Sequence, residues 1–115
     1  MNQEELLVVL VSAPTKADAT VLADALVGQH LAACVSIVPG MTSVYNWKGQ
    51  RESSEEVLLV IKTRAELFTD LERTVRATHP YDVPEIVGIP ASRVASAYLE
   101  WVAAETNTGT AATDS

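Results

Sequence analysis

Apolar positions along this chain switch between runs of strand length and stripes of helical spacing. Residues 6–11 read LLVVLV, an unbroken apolar run rich in β-branched side chains, which suits a central strand covered on at least one face. Pro14 ends it. Thr15 and, three residues later, Asp18 make a capping-box-like helix start in which the threonine hydroxyl accepts from an early backbone amide. Ala17, Val21, Leu22, Ala25 and Leu26 follow at helical spacing, and Gly28 stands where a terminating glycine is expected. Residues 32–38 are apolar again, and Pro39-Gly40 punctuates them before strand-forming residues resume at 41–47, which implies two strands joined tightly. Lys48-Gly49-Gln50 marks a further turn, leading through polar residues 51–56 into the strand signal at 57–61.

Thr63 and Glu66 repeat the capping pattern before the apolar stripe Leu67, Phe68, Leu71 and Val75, and His79-Pro80 ends that second helix. Residues 81–84 are extended, 85–89 read as a short last strand, and Val94, Ala97, Tyr98 and Trp101 mark a third helix. The order β-α-β-β-α-β-α is α+β in class, a ferredoxin-like split βαβ sandwich with one C-terminal helix. Right-handed crossovers place both long helices on one face of an antiparallel sheet. The other face carries more apolar surface than one short helix can hide, so association of subunits is expected, in a number the pattern does not give. A chain of 115 residues suits one domain, here 1–105, and the polar stretch 106–115 (TNTGTAATDS) has no apolar anchor and is expected to be disordered.

Charge narrows the function. Fifteen acidic against eight basic residues give a net charge of −7, a field that repels nucleic-acid phosphates and anionic lipid and weakly gathers cations. Neither nucleic acid nor membrane is an expected partner, since no apolar run approaches the roughly 20 residues that span a bilayer. The single cysteine, Cys34, and an N-terminus without a basic region make cytoplasm the default compartment. No glycine-rich phosphate loop, His-x-x-x-His pattern or nucleophile elbow is present, so catalysis is not expected. Glu4-Glu5, Glu55-Glu56 and Asp70-Glu72 read as solvated faces.

The soft or imidazole donors are Cys34, His30 and His79. Cys34 sits in an apolar strand and reads foremost as a small buried hydrophobe, His79 at a helix end as cap or ligand, and His30 as a solvated residue. Tyr45, Trp47, Tyr81 and Trp101 are amphipathic aromatics suited either to packing or to a ligand cleft.

Four blocks, LAACVSIVPGMTSVYNWKGQ at 31–50, VLLVIKTR at 57–64, HPYDVPEIVGIP at 79–90 and YLEW at 98–101, resemble the CutA family, over about Leu7 to Trp101. The resemblance implies a homotrimer similar in architecture to PII signalling proteins, associated with tolerance to divalent cations and, in some members, with copper. No cofactor is required; copper or another divalent cation is the optional ligand. Copper-binding members carry a cysteine at the end of the first strand and paired histidines before Pro-Tyr. Here Ser12 and Thr78-His79 stand there, so His79 alone carries over, with Cys34 the other metal candidate. The resemblance also implies an intersubunit cleft near Lys62, Tyr81 and Glu85, grouped with Tyr45, Trp47 and Trp101, in which Lys62 pairs with an acidic ligand group or with Glu85. The alternative reading is a PII-like sensor of a small anionic metabolite or nucleotide.

Overall fold

A computed structural model describes residues 6–106. The elements follow the expected order: β1 (Leu6–Ala13), α1 (Lys16–Gly28), β2 (Cys34–Trp47), β3 (Gln50–Arg64), a 3₁₀ turn (Ala65–Leu67), α2 (Phe68–Thr78), β4 (Ile86–Pro90) and α3 (Ser96–Glu105). The strands form one antiparallel sheet in the order β2-β3-β1-β4, the ferredoxin-like arrangement. Alternate residues Val9 and Val11 of β1 and Leu59 and Ile61 of β3 pack under Leu22 and Leu26 of α1 and Leu71 and Val75 of α2. Burying each such side chain contributes about 1.5–3 kcal/mol. The cap expected at α1 is present: Thr15 Oγ1 accepts from the Asp18 amide at 3.1 Å and donates to Asp18 Oδ2 at 2.8 Å.

Pro39-Gly40 does not turn the chain. It forms a bulge inside one long strand: Val38 pairs with Leu58 and Met41 with Glu56, three steps on β2 against two on β3. Gly40 takes φ +83°, open to glycine without a Cβ penalty, and Pro39 has no amide to give to the ladder. The reversal comes at Lys48-Gly49, at φ +53° and +82°, as a two-residue hairpin requires. Residues 51–56, expected as a polar connection, are therefore strand, paired with 41–46. The extra residue changes parity. Beyond the bulge Tyr45 and Trp47 lie on the same side of the sheet as Leu58 and Glu56, the side away from α1 and α2.

The second expected cap is overruled too. β3 continues through Arg64, because Thr63 and Arg64 pair with Leu7 and Leu6, and α2 starts after Leu67 with no side-chain cap. Thr63 is fully buried and donates to the Leu31 carbonyl at 2.6 Å. Thr63→Val, which keeps shape and leaves that carbonyl unpaired, is expected to cost about 1–2 kcal/mol in denaturant unfolding.

In α1 the buried residues are Ala19, Leu22, Ala23 and Leu26, while Ala17 and Val21 face outward. The helix runs through Gly28, and the left-handed residue is His30, at φ +60°. His30 is not merely solvated: its Nδ1 lies 3.2 Å from the Glu105 carbonyl, to which it donates. α3 packs through Leu99 and Val102 against Leu6, Val8 and Ala33, leaving Tyr98 and Trp101 outward. Its end is tied down by Arg64, whose Nε donates to Thr106 Oγ1 at 2.8 Å and Nη2 to the Thr106 carbonyl at 2.7 Å. Thr106, expected to open the polar tail, is thus buried, and the rest of that tail lies outside the described residues. α3 covers one end of the sheet's second face; Val38, Val87 and Ile89 on that face stay about half exposed.

Candidate functional site

The site is assembled where β1 ends and α2 stops. Pro80 cannot continue the helix, so His79 caps α2 in extended conformation, its amide donating to the Val75 carbonyl at 2.8 Å. The His79 ring, 7% exposed, turns onto β1: Nε2 lies 2.7 Å from the Ser12 carbonyl and Nδ1 accepts from the Tyr81 amide at 3.1 Å. A carbonyl only accepts, so the proton is on Nε2 and both nitrogens are engaged. Tyr81 packs on the imidazole at 4.9 Å between centroids, and its hydroxyl donates to Glu56 Oε2 at 2.9 Å. Glu56 is only 6% exposed, against the solvated role expected from its polar neighbours.

Burial first, then the hydrogen bond and the charge of Glu56, push the Tyr81 hydroxyl up from 10.0 to about 12. The folded chain thus keeps this proton to higher pH than the unfolded chain. The resulting stability is complete below about pH 10 and is lost as pH rises through about 12. Denaturant midpoints are expected to fall across that window, with a shallower fall in Tyr81→Phe.

Above these residues opens a cleft of about 930 Å³, lined by Ser12, Ser43, Val44, Tyr45, Trp47, Glu52, Glu56, Pro80, Tyr81, Asp82, Val83 and Glu85. It carries four carboxylates and no Lys, Arg or His. Of the residues expected at a cleft, Tyr45, Trp47, Tyr81 and Glu85 meet there. Lys62 and Trp101 do not. Lys62 Nζ donates to Ser36 Oγ at 2.9 Å and the Val60 carbonyl at 3.0 Å, and makes no ion pair with Glu85. Trp101 lies on α3 beside Tyr98, 5.7 Å between centroids.

Cys34 and His79 are not brought together. Cys34 lies opposite Lys62, which faces Val8, whereas His79 reaches Ser12, about 13 Å further along β1. Cys34 is half-buried near Tyr98, whose hydroxyl is raised by burial first and by Cys34 second. Among the described residues no three His, Cys, Asp or Glu side chains converge on a point that could hold a metal. Sequence reasoning missed Glu52, Glu56 and Asp82, and reached Ser12 only as the place where copper-binding relatives carry a cysteine. The available signal was strand parity, since Glu56 falls in step with Leu58 and Val60.

The family model for the CutA1 divalent ion tolerance protein matches residues 7–105. The "Divalent-cation tolerance protein CutA" of Thermus thermophilus is 46% identical over 102 residues, 89% of this chain and 97% of the relative. The "Protein CutA, chloroplastic" of Arabidopsis thaliana is 46% identical over 96 residues, 84% of this chain but 53% of the relative. The chain thus spans about half the length of that plant relative. Among solved structures, the periplasmic divalent cation tolerance protein CutA from Archaeoglobus fulgidus superposes with a TM-score of 0.86 at 33% identity, covering 88% of this chain and 98% of that one. Those last two names place their proteins in different compartments, and no described helix here is long and apolar enough to cross a membrane. Matched along nearly the whole described length by sequence and by fold, the chain belongs to the CutA1 divalent ion tolerance family.

Proposed function

We propose that this chain acts in divalent-cation tolerance as a non-enzymatic binding module, a cytoplasmic homotrimer whose cleft takes up cations. The observation that carries this is the cleft's lining, with Glu52, Glu56, Asp82 and Glu85 and no basic residue. Carboxylates of one sign on a concave wall focus the field and raise local cation concentration. Oxygen donors suit hard divalent ions, whereas copper favours imidazole and thiolate. His79 has no free nitrogen unless it releases Ser12 or Tyr81, and Cys34 is remote. Copper therefore ranks behind oxygen-preferring cations, held weakly and through water. The same lining disfavours an anionic metabolite, for which Lys62 is too far from the cleft residues to serve.

Self-association is supported by the half-exposed Val38, Val87 and Ile89 and by the β2-β3 arm beyond the bulge. A lone two-stranded ribbon is marginal in water, and this one stretches the molecule to 52 Å against 28 and 22 Å across. The number three comes from the family resemblance. Light scattering is expected to give three times the chain mass of 12.3 kDa. Calorimetric titration with magnesium and manganese is expected to show weak binding that Glu52→Gln with Glu85→Gln abolishes. Divalent binding indifferent to those changes would overturn the reading.

A further inference from the structure

We propose that the cleft is shaped for an organic cation, a short aliphatic diamine or polyamine, with one primary ammonium seated on Ser12 and Glu56 and its methylene chain against Trp47 and Tyr45. The inference rests on the cleft being a cation site and names the class of cation.

Ser12 is 4% exposed, and while its carbonyl is used by His79, its hydroxyl has no hydrogen-bond partner among the described residues. Glu56 has Oε2 bonded to Tyr81 and Oε1 free among the described residues. No side-chain oxygen or nitrogen sealed from solvent lacks a partner among the described residues, so these two oxygens must be open to the cleft that both residues line. Water meets these oxygens when no ligand is present, and an ammonium that displaces it exchanges neutral hydrogen bonds for charge-assisted ones. Both oxygens accept, and an ammonium group offers three N–H donors and no acceptor.

The rest of the lining separates an amine from a bare ion. A hydrated divalent ion gains nothing from Trp47, Tyr45 and Val83, whereas a methylene chain buries its surface there and an ammonium is drawn to an aromatic face. The Trp47 ring already attracts an alkylammonium: the chain's own Lys48 Nζ stands 5.9 Å from its centroid. Glu52 and Glu85 leave negative charge for a second ammonium, which favours a diamine over a monoamine.

The test is calorimetry on the native assembly with putrescine, magnesium and tetramethylammonium, putrescine and magnesium carrying equal charge. Putrescine is expected to bind at least ten times more tightly than magnesium or tetramethylammonium. Ser12→Ala is expected to weaken putrescine several-fold with assembly mass and melting temperature unchanged, and Trp47→Leu to weaken it several-fold in material that keeps the wild-type mass. Magnesium binding as tightly as putrescine, and lost in Glu52→Gln with Glu85→Gln, would leave the cation site standing and overturn the amine. Tetramethylammonium equalling putrescine would overturn the seat on Ser12 and Glu56. Binding of none of them would overturn both the amine and the cation site.

Discussion

Replacing His79 by alanine is expected to cost about 3 kcal/mol of folding stability with no metal present, as a lower denaturant midpoint at unchanged slope. The ring serves two backbone groups at once, accepting from the Tyr81 amide and donating to the Ser12 carbonyl. Stranding the Ser12 carbonyl at its buried place costs about 1–3 kcal/mol, and the part-buried Tyr81 amide adds to that. Tyr81 would lose its tilted ring contact with His79, and with it the fixed direction of its hydroxyl toward Glu56. His79→Gln keeps a donor for Ser12 without the ring acceptor, so about half the loss should return. A residue held ready for metal behaves otherwise: its removal leaves the metal-free protein nearly as stable and abolishes metal affinity. An alanine variant within about 0.5 kcal/mol of wild type, the usual range for a surface change, would end the clamp reading. The cleft should fail with the clamp, because Tyr81 and Glu56 both line it.

The sequence read well where one local cue had one meaning. α2 is polar on all but one stripe, so Leu71 and Val75 named its buried face correctly. α1 and α3 carry apolar residues nearly all round, and spacing could not choose between Val21 and Ala23, or between Trp101 and Val102. Packing chose, and in α3 it left the larger aromatics outside. Pro39-Gly40 failed for a different reason. A proline before a left-handed glycine is the signature of a turn and of a bulge alike, and only a partner strand continuing past it, as β3 does, makes it a bulge. Thr63 and Glu66 showed the same competition, a local cap losing to ladder bonds that pair Thr63 with Leu7, 56 residues away. In the cleft, Tyr45, Trp47, Tyr81 and Glu85 were legible as amphipathic or family-like positions. The burial of Ser12 and Glu56 was not, because it depends on the loop from His79 to Glu85 folding across the end of β1.

On the uncovered face of the sheet, Val87→Asp is expected to reduce the assembly to single chains while leaving the circular dichroism of each chain intact. Val87 lies on β4 opposite Leu10 and is 47% exposed. In an isolated chain an aspartate there meets water and costs no more than the strand-propensity difference, about 1 kcal/mol. In an assembly built on this face the carboxylate is stripped of water, at several kcal/mol. Symmetry repeats that cost in every subunit, so one substitution acts at each interface together. Val21→Asp is the control, since Val21 is 56% exposed on the outer side of α1, away from the sheet, and should leave the mass unchanged. Retention of the full mass by Val87→Asp would mean that subunits meet elsewhere, and that the half-exposed valines and isoleucine of this face await some other partner.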